Sequence, residues 1–208
     1  MDTTRGNRWI ILAGFIPIWG GCTHAGTAAN SGSGGLIANA EALHPEVAPG
    51  TKAMLKLAGV NVPVQVKYVS EGKKLTVLLI AHGEVFERES YEFDAESFRL
   101  REAADGNYAP SLELLKFPMH VGDKWTWSGR METGGISRPT KATVSINNNK
   151  LYVGTVGHET VQSTVDLEIF ADAGRPPTKR KLTFWFVPNK GLIRREFGTE
   201  SVREPVTP

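Results

Sequence analysis

From Val62 to near the C-terminus the chain alternates apolar and polar residues with a period of two, in short runs broken by Gly, Asn, Asp and Pro. Successive side chains of a β-strand point to opposite faces, so this rhythm marks half-buried strands; the apolar positions of a helix recur every three or four residues instead. "VPVQVKYVS" sets Val62, Val64, Val66 and Tyr68 against Pro63, Gln65, Lys67 and Val69. "EGK" reads as a hairpin loop into "KLTVLLIAHG", and "RESYEFD" and "SFRLREAA" flank a short Asp94-Ala95-Glu96 connection. Strand character resumes in "KWTWSGRMET", "PTKATVSI", "KLYVGTV", "TVDLEIFA", "KRKLTFWFVP" and "GLIRREFG", with turn-rich pieces such as "GGISR", "DAGRPP" and "NKG" between them. "SLELLKFP" reads equally as a helical turn or an extended crossing, and "GTKAMLKLAG" as a short helix or a first strand. About ten strands with short links and no strand–helix alternation predict an all-β fold. The expected form is a strongly curved, mainly antiparallel meander sheet, half-barrel or barrel-like, with a minor N-terminal helix in "LIANAEALH".

The aromatic residues set the next question. Trp125 and Trp127 project to one side of their strand; Phe184 and Phe186 share a side with Trp185 opposite. Such side chains bury roughly 150–250 Å² each and dominate cores. They are read as core that fills the concave face of the sheet, with an apolar groove for a hydrophobic or lipid-like ligand as the alternative.

Several chemistries find no footing. A formal net charge of +2 is too small for a nucleic-acid stripe. The basic runs Lys179-Arg180-Lys181 and Arg194-Arg195 fall in strands whose alternate residues are expected to face water, and the carboxylate pairs Glu87/Glu89 and Glu92/Asp94 are expected on a solvated edge or face. No two histidines lie within a helical turn of one another and Cys22 is the lone cysteine, so no zinc-ligand spacing is present. There is no G-x-S-x-G elbow. The expectation is a non-enzymatic protein with no catalytic residue, cofactor, metal or nucleic-acid partner.

The N-terminus carries a different signal. Arg5 and Arg8 precede the apolar run Trp9 to Trp19, which is followed by Gly20-Gly21-Cys22. Eleven apolar residues are too few to span a bilayer, which takes roughly 20, but they fit the three-part layout of a secretory signal. Its end resembles a bacterial lipobox, with Gly20 and Gly21 at the small positions and Trp19 where leucine usually stands. The resemblance implies lipidation of Cys22 and a membrane anchor, and Thr23 after it implies the periplasmic face of the outer membrane in a Gram-negative host. The alternative is conventional cleavage near Ala29, leaving a soluble periplasmic or secreted protein. The expected organisation is a signal peptide over 1–21, a small-residue tether over 22–35 and a single β-rich domain over 36–204, with an envelope protein as a possible partner.

Two segments, "LLKFPMHVGDKWTWSG" and "LTFWFVPNKGLIRREFG", resemble the paired signatures of TapB-like exported bacterial proteins, related to periplasmic domains of unknown function. Phe117-Pro118, Gly122, Trp125 and Trp127 match the first signature; Trp185-Phe186, Pro188, Gly191, Leu192, Ile193 and Arg194 match the second. The Pro-Ala-Gly-Thr turn that relatives carry between them is replaced here by "HETVQSTVDLEIF". The resemblance implies an all-β periplasmic domain and supplies no catalytic residues.

Overall fold

The computed structural model describes residues 37, 39–43, 51–153, 156–171, 174–198 and 201–205. A 3-10 helix, Ala40–Leu43, precedes twelve strands. They are β1 (Thr51–Leu57), β2 (Val60–Glu71), β3 (Lys74–Ala81), β4 (Glu84–Phe93), β5 (Ser97–Ala103) and β6 (Gly106–Lys116), then β7 (Lys124–Thr133), β8 (Ile136–Val153), β9 (Val156–Ile169), β10 (Thr178–Val187), β11 (Gly191–Phe197) and β12 (Ser201–Pro205). Each strand pairs antiparallel with its sequence neighbours, and β1 also pairs with β12, so the meander closes into a barrel. Closure gives every strand a neighbour on both sides.

The period-two pattern explains which residues enter the lumen. In β3, Leu75, Val77, Leu79 and Ala81 are buried while the residues between them are not. At the β3–β4 hairpin, His82 and Gly83 both adopt positive φ, 53° and 85°, the backbone twist that a two-residue hairpin needs to match its strands. "GTKAMLKLAG" supplies strand β1, and "SLELLKFP" is extended within β6. The β10–β11 hairpin forms as expected, with Phe186 opposite Leu192. A register shift between Trp185 and Phe186 brings Trp185 opposite Arg194 rather than an apolar residue.

Away from the near end described below, the lumen is packed with side chains. β6 pairs with β7 only across Asn107, Tyr108 and Ala109. Beyond this, Leu112, Leu114 and Leu115 are fully buried, and the Leu114 carbonyl accepts a 2.7 Å hydrogen bond from Ser163 Oγ of the non-neighbouring β9. The Trp125 indole N–H donates to the Glu113 carbonyl at 3.3 Å, tying β7 back to the same strand. Aromatic rings complete the interior. Phe98 stacks on Tyr91 at 5.2 Å and meets Phe186 edge-on at 5.6 Å, while Phe184 contacts Phe197 at 5.8 Å.

Because the strands alternate in direction, the β2–β3, β4–β5, β6–β7 and β10–β11 connections gather where β1 begins and β12 finishes. At this near end Ile37 bridges Met119 of the β6–β7 connection, and Ile37 and Leu43 join the hydrophobic core.

Gly129 shows how closely β7 is packed. A Cβ there would lie 2.5 Å from the Trp127 ring and 2.6 Å from the Ala109 carbonyl oxygen. Gly129→Ala is therefore expected to destabilise the fold by about 1–3 kcal/mol, the usual cost of over-packing. Urea unfolding checks this, and a displaced Trp127 should also shift the tryptophan emission.

Candidate functional site

The barrel buries charge as well as hydrocarbon. Glu87, Glu89 and Tyr91 alternate along β4 and all turn inward; Arg195 of β11 and Ser201 and Arg203 of β12 do the same. This corrects the expectation that Glu87/Glu89 face water: Glu89, like Arg195, has no exposed surface at all. Arg194, by contrast, faces out and is ion-paired with Glu196 and Glu204.

The geometry is a bridge through the lumen. Arg195 Nε donates to Glu89 Oε1 at 2.7 Å, its Nη2 donates to Glu87 Oε1, and its Nη1 donates to Ser201 Oγ at 2.5 Å. Between β4 and β11 lie β3, β2, β1 and β12 in one direction around the barrel and β5 through β10 in the other. Arg195 and Arg203 are direct register partners on β11 and β12. Like charges so placed repel, and Glu89 lies between them: Oε1 accepts from Arg195, while Oε2 accepts from the Tyr91 hydroxyl at 2.8 Å and sits 3.3 Å from Arg203 Nη2. A buried charge without a partner would be heavily disfavoured.

The same arrangement separates the two carboxyls. Burial pushes Glu87 above its ordinary value of 4.5, only partly offset by Arg195. Burial acts the same way on Glu89, but the charges of Arg203 and Arg195, with hydrogen bonds from Arg195 and Tyr91, together outweigh it and hold Glu89 below 4.5. For Arg203, burial favours the neutral form, yet Glu89, Tyr68 and Tyr91 more than compensate and keep it fully charged. Burial, reinforced by Glu89, pushes the Tyr91 hydroxyl well up.

The two guanidiniums differ in one respect. Arg195 has an acceptor for each of its three nitrogens. Tyr68 accepts from Arg203, but Arg203 Nε and Nη2 have no hydrogen-bond partner among the described residues. The 3.3 Å approach of Nη2 to Glu89 is an ion pair without hydrogen-bond alignment. Each such donor costs on the order of 1–3 kcal/mol if left unmet. Arg203 forms part of the wall of a cavity of about 280 Å³ at the near end, between the start of β1, the end of β12 and the β10–β11 turn.

The aromatic candidates lie elsewhere. Trp127, Phe184 and Phe186 belong to one continuous core, with Trp125 packed against it half-buried. Trp127 also borders a shallow groove of about 400 Å³ beside Lys141 and Asp166. Trp185 is on the opposite face of β10, buried with the Arg194 guanidinium 5.1 Å from its ring. None of these five lines the near-end cavity. Cys22, the 1–21 segment and the 22–35 tether lie outside the described residues.

The chain is thus an up-and-down β-barrel with a packed, ion-paired lumen. No family model matches the sequence, and no curated protein matches it. Solved structures that are similar to it at low identity include the following three. One is the hypothetical lipoprotein YmcC from Escherichia coli, with TM-score 0.46 and 15% identity over 81% of this chain and 94% of that one. A protein from Parabacteroides distasonis, described as a lipoprotein, has TM-score 0.48 and 8% identity over 81% and 97%. A protein from Bacteroides fragilis, described as exported and YmcC-like in fold, has TM-score 0.46 and 11% identity over 81% and 98%. The strand pairing of this chain defines its fold independently of them.

The network yields a contrast between its carboxyls. Glu89→Gln leaves two buried guanidiniums facing each other and should cost about 3–5 kcal/mol at pH 7. Glu87→Gln keeps an oxygen for Arg195 and should cost distinctly less. The pH signs also differ. Glu89, held below 4.5, contributes stability that is complete above that value and lost as pH falls through the lowered one. Glu87, raised, stabilises in its protonated form and loses that contribution as pH rises through its raised value. Urea unfolding at pH 7 and below pH 4.5 should show the Glu89→Gln penalty shrinking in acid.

Proposed function

We propose that this protein is a non-enzymatic, lipid-anchored module of the bacterial envelope, held by Cys22 at the periplasmic face of the outer membrane and presenting its barrel to another envelope component. The observation that carries this reading is the placement of charge. Lys56, Lys67, Arg101, Lys141, Asp166, Lys179 and Lys181 all project outward from the strands and are exposed. A barrel that spans a bilayer needs an apolar outer band, so this one is suited to water, and attachment must come from outside it. The run Trp9 to Trp19 before Gly20-Gly21-Cys22 supplies such an attachment, since two or three acyl chains together make a stable anchor. The two TapB-like signatures support an exported family. Their residues occupy the β6–β7 connection with the start of β7, and the β10–β11 hairpin.

A second reading, a periplasmic carrier of a hydrophobic or lipid-like ligand, draws on the near-end cavity with its Val66 and Ile193 walls. The aromatic residues favour the first reading, because Trp127, Phe184 and Phe186 are packed into the core.

Metabolic labelling with a fatty-acid probe should mark the wild type and not Cys22→Ala. The mutant should also move from the membrane to the soluble fraction. Equal labelling of both would overturn the anchor.

A further inference from the structure

We infer that the near-end cavity is a binding site for a small anion, a carboxylate or phosphate group carried on a compact apolar body, with Arg203 as its principal contact. Three observations carry this. The Arg203 side chain is 2% exposed and forms part of the cavity wall, with Nε and Nη2 lacking a hydrogen-bond partner among the described residues. Two further cations, Lys52 and Lys190, line the same cavity, and none of its lining residues is a carboxylate. The remaining walls combine apolar Ala53, Val66, Ile193 and Pro205 with the uncharged polar Thr51, Tyr68 and Asn189. Guanidinium groups recognise carboxylate and phosphate through paired N–H donors held in one plane.

The network behind Arg203 explains why these donors are not consumed by the protein. Glu89 Oε1 is committed to Arg195, and Oε2 accepts from Tyr91. Glu89 therefore neutralises Arg203 by proximity at 3.3 Å without satisfying its hydrogens. An anion entering between Lys52 and Lys190 would find a fixed cation at the bottom. A cavity of about 280 Å³ lies at the small end of the range for ligand sites, which suits a short-chain or single-ring anion. The site stands whether or not Cys22 is acylated.

The test is a titration of the purified full chain followed by ¹H–¹⁵N spectra of arginine Nε–H groups, with the Arg203 resonance assigned by its loss in Arg203→Lys. The probes are inorganic phosphate, octanoate, octyl phosphate, and vesicles of phosphatidylglycerol or of phosphatidylcholine. Saturable movement of the Arg203 signal by a soluble anion, weakened about tenfold or more by Lys190→Glu, supports a soluble ligand. Movement by phosphatidylglycerol vesicles alone, with the same Lys190 dependence, supports a lipid headgroup. Lys190 is exposed in a turn, so its variant serves even if Arg203→Lys does not fold. An unmoved Arg203 signal with every probe overturns the proposal. So does movement indifferent to Lys190→Glu, or movement by phosphatidylcholine equal to that by phosphatidylglycerol.

Discussion

Glu89 placed between Arg195 and Arg203 is the constraint on which the interior of this barrel depends. Two arginines directly opposite on neighbouring strands, both in the lumen, would force β11 and β12 apart. That ladder has only three register pairs. One carboxylate contributed from β4, across the barrel, removes the repulsion and links the β11–β12 pair to a part of the sheet far from it in sequence. The link needs closure: if β1 were not paired with β12, water could reach the guanidiniums and the bridge would lose most of its strength. Closure and the ion network therefore support one another.

The rest of the lumen is organised around this polar centre. Phe98, Phe184, Phe186 and Phe197 form a connected aromatic body, and the Arg195 guanidinium lies 4.3 Å from the Phe197 ring centre, where charge and hydrocarbon meet. β6 fills another part by leaving its β7 partner early and pressing Leu112, Leu114 and Leu115 inward. The packing limits mobility of Arg195 and Glu89, since the first lies against the Phe197 ring and the second is hydrogen-bonded to Tyr91, both without exposed surface. Tight packing of that kind makes an interior specific as well as stable.

The strand content was legible because period-two alternation is local, and β2, β3, β7 and β10 each display it. Closure was not legible. β12 reads "SVREP", too short and too charged to stand out, and β1 reads "TKAMLKL", whose spacing suits a helix as well. The ion network was missed for a related reason. Two carboxylates suggest a solvated face for Glu87 and Glu89, although Tyr91 and Phe93 continue the same alternation and mark that face as inward. Phe86, on the opposite face, is 52% exposed. The period held the signal, but charge overrode it. Arg195 lies 106 residues after Glu89, so nothing in either segment indicates its partner.

The asymmetry between the two arginines then acquires a physical meaning. Arg195 is satisfied on every nitrogen and has a structural position. Arg203 shares the same counter-charge but borders the near-end cavity, so the network holds it in place without consuming its donors. A guanidinium on a free surface chain loses rotamer freedom when it engages a ligand; one already fixed by Glu89 and Tyr68 loses little. Burial strengthens its field in the cavity as well, because less water is present to screen it. The features that stabilise the closed barrel thus also pre-organise a cation at one end of it, and the two roles draw on the same carboxylate.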